Sequence, residues 1–318
     1  MILTVTPDPV LDQVLLIDEW LPGEVMHAAG PATSVGGKGL DASVALRHLG
    51  VDTTALCYLA GTAGQQLYAR LQAYGIDCAP VWAEGETRTA YVLAERAHGR
   101  HSHVFCGGVR IHLPHQDRFL SLFQEKLPGA EWLVAGGVFP ADLQTDFYAW
   151  LTTLAHRHCV PVLLDAHTRF IEPALAAHPE IIKMNRREFE NTFHFPAPDL
   201  EALAGAARQV YRERRLNALV ITCGAEGILA FCPEGAFHAC PPPQPVVSAA
   251  GAGDAASAAL AWRLGRGDTW PEALRWAAAA GAAVVLTPGT ADLHMQDVQR
   301  ILKEVRVEPL PANGKGSA

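Results

Sequence analysis

The sequence lacks the cysteine patterns that disulfide frameworks and zinc sites use. Its seven cysteines are odd in number, scattered, and include no Cys-x-x-Cys pair. The longest apolar run, Ala277 to Leu286, is far too short to span a bilayer. No N-terminal stretch joins a charged start, an apolar middle and a small-residue cleavage site. These absences predict reduced, mostly buried thiols in a cytoplasmic protein that has no membrane partner.

The chain also has little positive charge. Its formal net charge is −8 and its pI is near 5.9, so it offers no electrostatic footprint for nucleic acid or an anionic membrane. Two short basic clusters, Arg186-Arg187 and the segment from Arg212 to Arg215, are what a solvated helix face produces. The composition therefore favours a small-molecule enzyme over a nucleic-acid-binding protein.

Three common nucleotide-binding motifs are missing. No Gly-x-x-x-x-Gly-Lys-Ser/Thr run is present, which excludes a P-loop enzyme. The catalytic motif set of protein kinases is absent as well. The run Gly251-Ala252-Gly253 lacks the third glycine of a dinucleotide fingerprint, which argues against a nicotinamide oxidoreductase.

Strand-like and helix-like segments alternate over most of the 318 residues. Such alternation predicts an α/β fold, a doubly wound, mostly parallel sheet flanked by helices. The length suits one large α/β domain or two smaller ones. The predicted strands are residues 54–59, 132–135, 160–165, 181–183 and 218–222, and the predicted helices are residues 65–74, 142–156, 187–193, 200–214 and 271–286.

Two segments, residues 10–34 and 87–105, break the alternation because they read as strands and turns without helices. We expect them to form a small β-sheet lid over the mouth of the active site. The core would then consist of residues 1–9, 35–86 and 106–308. Residues 227–239 are predicted to form a hairpin near the nucleotide side, and residues 309–318 a disordered tail.

The most informative run is Gly251-Ala252-Gly253-Asp254, a glycine-rich turn that opens an alanine-rich helix. Free backbone N–H groups and the positive end of the helix dipole meet at such a turn, which suits a phosphate or a developing oxyanion. At such a site, Asp254 would act as the base that takes a proton from a hydroxyl attacking a phosphoryl group. The alternative is an ordinary helix N-terminus whose Asp complements the dipole.

Further motifs occur in a fixed order along the chain. They are the opening run from Ile2 to Asp12, Gly36-Gly37-Lys38-Gly39, Gly85-Glu86-Thr87-Arg88-Thr89, Asn185-Arg186-Arg187-Glu188, and the run from Thr222 to Gly227. With these motifs the chain resembles the ribokinase-like (PfkB) carbohydrate kinases, and within them the branch of 1-phosphofructokinases and tagatose-6-phosphate kinases. The resemblance covers Met1 to about Val305. It implies ATP and Mg²⁺ as cofactors and a β-sheet lid that also serves as a homodimer contact.

On the phosphate side, the resemblance makes Asp254 the catalytic base and implies that Gly251 and the N–H groups of Ala252, Gly253 and Asp254 hold the transferring phosphoryl group. It associates Asn185 and Glu188 with Mg²⁺, directly or through water; the alternative for this pair is a helix cap with a first-turn glutamate. The nucleotide would contact Asn185 together with Lys183, Thr222, Gly224 and Gly227. A solvated lysine and a plain hairpin turn would use the same residue types.

On the sugar side, the resemblance assigns Asp12 as the carboxylate that binds a hydroxyl, and Gly37 and Lys38 as a close backbone approach and a cation. It places Arg88 on the existing phosphate of the substrate, with a surface residue as the alternative. Arg110 would add positive charge at the same end.

The chain departs from the family pattern among the residues assigned to the sugar. Asp41 stands where the family has an asparagine, His27 where the branch has an arginine, and Ala135-Gly136-Gly137 where Ser-Gly-Ser is usual. A carboxylate at Asp41, close to that of Asp12, would repel a phosphorylated sugar and raise the pKa of one of the two groups. The alternative is that Asp41 only complements the dipole of its helix. The expected function is ATP-dependent phosphorylation of fructose-1-phosphate or tagatose-6-phosphate. The alternatives are the same chemistry on a neutral sugar or nucleoside, and a non-catalytic sugar- or nucleotide-binding regulatory protein.

Overall fold

The computed structural model describes residues 1–98 and 100–311 of the chain. The first half contains, in order, β1 (Ile2–Thr6), β2 (Val10–Ile17), β3 (Ala29–Gly36), α1 (Lys38–His48), β4 (Thr53–Leu59), α2 (Gly61–Ala73), β5 (Asp77–Trp82), β6 (Glu84–Glu95), β7 (Arg100–Arg110), α3 (Leu113–Lys126), β8 (Trp132–Gly136) and α4 (Phe147–Arg157). The second half contains β9 (Val162–Asp165), α5 (Glu172–Leu175), β10 (Ile181–Asn185), α6 (Arg186–Phe193), α7 (Leu200–Glu213), β11 (Leu219–Thr222), β12 (Ile228–Cys232), β13 (Gly235–Cys240), α8 (Ala252–Gly265), α9 (Trp270–Val284), α10 (Met295–Leu302) and β14 (Arg306–Pro309).

The core is a ten-stranded sheet with the strand order β14-β13-β12-β11-β10-β9-β8-β1-β4-β5. The strands from β11 to β5 pair in parallel, and β12, β13 and β14 add an antiparallel edge. This arrangement confirms the predicted doubly wound, mostly parallel α/β fold. The predicted hairpin of residues 227–239 is the pair β12 and β13.

Both faces of this sheet are covered by helices, as the alternation along β4 illustrates. Ala55, Cys57 and Leu59 contribute to the hydrophobic cluster on one face, while Leu56 and Tyr58 contribute to the cluster on the other. Successive side chains of a strand point to opposite faces, so a strand buried on both sides reads as a continuous apolar run. Helices α1, α2, α8 and α9 cover the first face, and α3, α4 and α7 cover the second.

The alanine-rich helices α8 and α9 pack closely, and this contact positions the turn that begins α8. A Cβ added at Gly281 of α9 would lie 3.0 Å from the carbonyl oxygen of Ala252. The small residue at this position therefore lets α9 lie directly against the first turn of α8. In the described part of the chain, no helix is long and apolar enough to cross a membrane.

A second sheet has four strands in the order β3-β2-β6-β7. Strands β2 and β6 pair in parallel, and the other two pairs are antiparallel. β3 continues to Gly36, β6 begins at Glu84 and β7 ends at Arg110, so these strands extend beyond the segments 10–34 and 87–105. The division into core and lid remains a prediction, and residues 312–318 of the predicted tail lie outside the described residues.

One helix begins later than its sequence pattern predicted. The prediction started a helix at Asp142, whereas α4 begins at Phe147. The reason is that Asp142 serves another element, since its Oδ2 accepts a hydrogen bond of 3.0 Å from the N–H of Ile111. All seven cysteines are free thiols, and Cys57, Cys78, Cys223 and Cys232 are buried.

Candidate active site

The N-terminal turn of α8 depends on two glycines. Gly251 has φ 79°, in the left-handed region, and a Cβ there would collide with the backbone of Ala291. A Cβ at Gly253 would lie 2.7 Å from Nζ of Lys183. The two glycines therefore allow the chain to turn into α8 and let a lysine from β10 reach the first helical turn.

The backbone N–H groups of this turn are only partly free. The N–H of Ala252 donates to the carbonyl of Ala249 at 3.3 Å, and the N–H of Asp254 donates to the carbonyl of Gly251 at 3.1 Å. The first bond is long for an amide, and the second lies at the upper end of the ordinary range. An anion arriving at the N-terminus of α8 would compete with these weak bonds for the N–H groups.

Two lysines and two carboxylates form a buried network next to this turn. Nζ of Lys38 lies 2.6 Å from Oδ1 of Asp165 and 2.6 Å from Oε1 of Glu188. Nζ of Lys183 lies 2.7 Å from Oδ2 of Asp165, whose side chain is only 2% exposed. Burial alone would raise the pKa of Asp165, but Lys183 and Lys38 hold it below its usual value. The carboxylate is thus ionised and bridges both cations.

Asp165 is the member of this network that the sequence did not single out. It ends β9, while Lys183 lies near the end of the adjacent parallel strand β10 and Lys38 begins α1. The carboxyl ends of parallel strands share one edge of the sheet, where ligands of such folds bind. An acidic residue at the end of the predicted strand 160–165 was the available signal.

Asp254 lies beside this network and is partly buried. Burial raises the pKa of Asp254 to about 6; Lys183 and Lys38 act to lower it, and Asp165 and Glu188 act to raise it. A carboxyl group that titrates near neutral pH is suited to accept a proton from a hydroxyl and release it later. The arrangement brings together Asp254, Lys183 and Lys38, although Lys38 was assigned to the sugar side and here lies in the ion-pair network beside the turn of α8.

A cavity of about 440 Å³ opens from this turn along the ends of β10 and β11. The volume falls in the range of small-molecule and cofactor sites. Its lining includes all the residues predicted for the nucleotide, namely Lys183, Asn185, Thr222, Gly224 and Gly227, together with Lys38, Glu188, Ala252, Gly253 and Asp254. Apolar walls come from α9 and from the segment that follows β13, through Ala277, Ala278, Pro242 and Val246.

Some of these residues also have local structural roles. Gly227 has φ 90°, and a Cβ there would collide with the carbonyl oxygen of Ala239 across the hairpin. Asn185 and Glu188 form a capping box at the start of α6. The N–H of Glu188 donates to Oδ1 of Asn185 at 2.9 Å, and the N–H of Asn185 donates to Oε2 of Glu188 at 2.8 Å. The helix cap considered for this pair is therefore present.

The sugar-side residues lie where the four-stranded sheet meets the core. Nε of Arg88 on β6 lies 2.9 Å from Oδ2 of Asp8, and its Nη2 donates to the carbonyl of Asp8 at 2.9 Å. Asp12 on β2 is largely buried, which raises its pKa to about 6 although the charge of Arg88 lowers it. The arginine predicted to bind a phosphate is thus already paired with an acidic neighbour that sequence reasoning missed.

Asp41, in the first turn of α1, is 5% exposed. Its Oδ2 accepts a hydrogen bond of 3.1 Å from the N–H of Gly37. Burial, followed by the charges of Asp254 and Asp12, raises the pKa of Asp41 well above its usual value. The carboxyl does more than complement a helix dipole, because it faces two other acidic groups.

Two residues considered at this end are not brought into the site. Arg110, at the end of β7, is exposed and lies 3.9 Å from Glu84. His27 is exposed in the segment between β2 and β3. Neither side chain supplies positive charge near Asp12 and Asp41 in this conformation.

Known proteins resemble this chain in sequence and in fold. The family model described as "pfkB family carbohydrate kinase" matches residues 7–297. The chain is 27% identical to the ATP-dependent 6-phosphofructokinase isozyme 2 of Mycobacterium tuberculosis, over 97% of this chain and 90% of that protein. It is 32% identical to a 1-phosphofructokinase of Xanthomonas campestris, over 82% and 83% of the two chains. The crystal structure of a mutant of phosphofructokinase-2 from Escherichia coli superposes with a TM-score of 0.87 at 24% identity, covering 95% of this chain and 98% of that one.

Proposed function

The chain belongs to the pfkB family of carbohydrate kinases, and we propose that it transfers the γ-phosphoryl group of ATP to a hydroxyl of a sugar phosphate of the fructose-1-phosphate or tagatose-6-phosphate type. The observation that carries this proposal is the position of Asp254. It is a partly buried carboxyl in the first turn of α8, beside two lysines and in the lining of a cavity of about 440 Å³.

Asp254 acts as the general base of this reaction. It accepts the proton of the sugar hydroxyl as the hydroxyl oxygen attacks the γ-phosphorus. The bond from that phosphorus to the bridging oxygen breaks, and ADP leaves. The N–H groups of Ala252, Gly253 and Asp254 and the helix dipole stabilise the charge on the transferring group. The competing bonds to Ala249 and Gly251 are weak enough to be replaced by bonds to an anion.

Asp165 and Glu188 balance the charge of the two lysines, but each ammonium group keeps at least one N–H donor for the ATP phosphates. Lys38 and Lys183 are held by Asp165, so their ammonium groups are positioned before any ligand arrives. Buried groups fixed in this way need no reorganisation during the reaction. Lid closure would exclude water, so that the sugar rather than water receives the phosphoryl group.

Mg²⁺ fits this site as a companion of ATP rather than as an ion caged by protein. Within residues 1–98 and 100–311 no group of three or more His, Cys, Asp or Glu side chains could hold a metal ion. Mg²⁺ usually keeps several waters and binds through substrate phosphates and one or two carboxylates. Glu188 lines the cavity and retains lone pairs that can accept a metal-bound water. When bound, the ion would neutralise charge on the phosphates.

A second candidate function is the same chemistry on a neutral sugar or nucleoside. The pairing of Arg88 with Asp8 favours it, because a guanidinium held by a carboxylate is less available to a phosphate.

The homodimer contact expected at the lid also stays a prediction. The exposed side chains of Tyr91 and Val104, which lie opposite each other on β6 and β7, are the apolar surface that this contact would use, and a mass measurement in solution decides it.

The proposed function is tested by ADP release with Mg·ATP across fructose-1-phosphate, fructose-6-phosphate, tagatose-6-phosphate, ribose, fructose and adenosine. We expect turnover with the phosphorylated sugars. Asp254→Asn should lower kcat by about 100- to 10,000-fold because the base is lost. Asp117→Asn makes the same chemical change at an exposed position of α3 and should keep normal turnover.

Each other outcome rejects a part of the proposal. Turnover retained in Asp254→Asn would remove the general-base role. Turnover confined to ribose, fructose or adenosine would replace the sugar phosphate by a neutral acceptor. Wild-type protein that forms no ADP with any acceptor, yet binds ATP, would be a non-catalytic binding protein.

A further inference from the structure

One oxygen near the sugar-side residues has no partner. Oδ1 of Asp41 is buried and makes no hydrogen bond, whereas Oδ2 of the same carboxyl accepts the N–H of Gly37. Buried polar atoms are almost always hydrogen-bonded, because the lost hydration is otherwise not replaced. The unpaired oxygen between α1, β2 and the start of α8 therefore indicates that a bound ligand supplies the missing hydrogen bond.

The charges around Asp41 are mostly negative. Asp12 faces it from β2 and Asp254 faces it from α8, and both act to raise its pKa. The hydroxyl of Tyr74, just after α2, also interacts with it. On its own helix, Lys38 is bound to Asp165 and Glu188.

Arg88, the cation near Asp12, is bound to Asp8. In the described part of the chain no cation forms an ion pair with Asp41. Three carboxyl groups that share a buried site do not all ionise together, because like charges in a low dielectric repel strongly. The group with the greatest burial and the fewest compensating cations retains its proton, and here that group is Asp41.

We propose that Asp41 is a specificity-determining residue that binds the sugar as a neutral carboxylic acid, with Oδ1–H donating a hydrogen bond to a substrate oxygen. The position of the proton follows from the hydrogen bonding, since Oδ2 is the acceptor for the N–H of Gly37 and Oδ1 is the open atom. The inference rests on the proposed function, because it assumes that the sugar occupies the space between Asp12 and Asp254.

This assignment defines the chemistry of the acceptor. The substrate presents a hydroxyl or ring oxygen with a free lone pair to Asp41, and it carries no ammonium group at that position. A neutral Asp41 also lowers the negative charge that a phosphorylated sugar meets beside Asp12. A deprotonated Asp41 would repel that substrate and lose the donor, so sugar affinity should fall as Asp41 ionises.

The test compares wild type with Asp41→Asn and Asp41→Ala. Asparagine has the same shape and keeps an N–H donor at every pH, whereas alanine has none. We expect the KM for the sugar phosphate to rise in wild type as pH increases and Asp41 loses its proton, and this rise to be absent in Asp41→Asn. Asp41→Ala should raise KM about tenfold or more at pH values where wild-type Asp41 keeps its proton, as loss of a buried hydrogen bond does. A large KM increase in Asp41→Asn near neutral pH would overturn the proposal, because it would mean that the carboxylate is required.

A second measurement needs no substrate. The midpoint of thermal unfolding is followed against pH for wild type, Asp41→Asn and the exposed control Asp117→Asn. A carboxyl whose pKa is raised in the folded state binds its proton more tightly there, so wild-type stability falls as pH rises from the unfolded value towards the folded one. Asparagine does not titrate, so the midpoint of Asp41→Asn relative to wild type should keep increasing through neutral pH.

A difference that stays constant above about pH 5, as the control should show, would mean that Asp41 is ionised in the folded protein and would overturn the proposal. This readout separates the two hypotheses. If wild type phosphorylates none of the sugars but the difference in midpoints grows with pH, the proposed function fails and the proton on Asp41 stands. If turnover is normal but the difference is constant, the reverse holds.

Discussion

At the core end of the site, where β9 and β10 meet α8, Lys38 and Lys183 each lie within hydrogen-bonding distance of a carboxylate. At the lid end, around Asp8, Asp12 and Asp41, carboxyl groups outnumber cations, since Arg88 pairs with Asp8 and no ion pair to Asp41 occurs in the described part of the chain. Lys38 and Lys183 contact Asp165 at 2.6 and 2.7 Å. The guanidinium of Arg88 is held by Asp8 and its charge also acts on Asp12, whereas the charges that act on Asp41 are those of Asp254 and Asp12. The pKa values follow this difference, because the pKa of Asp165 is lowered while those of Asp8, Asp12 and Asp41 are raised.

The difference shows which end is complete without a ligand. The core end is neutralised by its own ion pairs and holds its lysines in place for phosphates, whose chemistry is the same for every acceptor. The lid end keeps excess carboxyl groups and an unpaired oxygen, which on the function proposed above a bound sugar would complete. On that proposal we expect substrate choice to depend on the lid end and phosphoryl transfer on the core end.

The largest effect on stability is expected from Asp165→Asn, which removes the charge shared by two buried lysines. Leaving buried charges without a partner should lower the free energy of unfolding by about 3–5 kcal/mol, measured by urea denaturation. Because the folded-state pKa of Asp165 is lowered, its contribution is present above its unfolded pKa and is lost as pH falls, so the deficit should shrink in acid.

The matched control for this variant is Asp52→Asn. Asp52 forms an ion pair of 2.8 Å with Arg47, but its side chain is 89% exposed. Exposed pairs contribute about 0–1 kcal/mol, so this variant should be nearly as stable as wild type. Equal losses in the two variants would show that the core network does not stabilise the fold more than a surface pair.

The sequence could predict the core end better than the lid end. The alternation of strands and helices predicted the parallel sheet, and the glycines at 251 and 253 predicted the turn at which α8 begins. Those features depend on local patterns. The role of Asp165 depends on β9 lying beside β10 in the sheet, an adjacency that a single residue at a strand end does not reveal.

The lid end depends on contacts between residues far apart in the chain. Asp8 and Arg88 are separated by 80 residues, and the structure pairs them at the boundary between β1, β2 and β6. The motif around Arg88 predicted a free cation for a phosphate, because no local signal marks Asp8 as its partner. Arg110 was expected to add charge there, but the length of β7 carries it to the exposed end of the sheet.

A smaller effect is expected at the lid end from Arg88→Ala and Asp8→Asn. If Arg88 leaves Asp8 to bind the substrate phosphate, Arg88→Ala should raise KM for a sugar phosphate by about 10- to 100-fold, the value of a charge-assisted hydrogen bond. Asp8→Asn should lower KM, because the guanidinium no longer has a competing carboxylate. Arg96→Ala, at an exposed arginine just after β6, is the control. Equal KM values in Arg88→Ala and wild type would assign the arginine to holding Asp8 alone.

The smallest effect tests whether the two ends are electrostatically separate. Asp254 must be deprotonated to act as a base, and burial raises its pKa to about 6. The kcat should therefore rise with pH below about 6 and become constant above it. On the acid limb, the part of the profile below about pH 6, kcat should fall tenfold for each pH unit, which corresponds to about 1.4 kcal/mol of activation free energy.

Two substitutions compare the influence of the two ends on this limb. Lys183 lowers the pKa of Asp254, so Lys183→Met should move the limb to higher pH. Arg88 acts on Asp8 and Asp12 instead, so Arg88→Ala should change KM and leave the position of the limb where wild type has it. A limb displaced equally by both substitutions would mean that the charges of the lid end reach the base, and that substrate choice and catalysis are not set by separate groups.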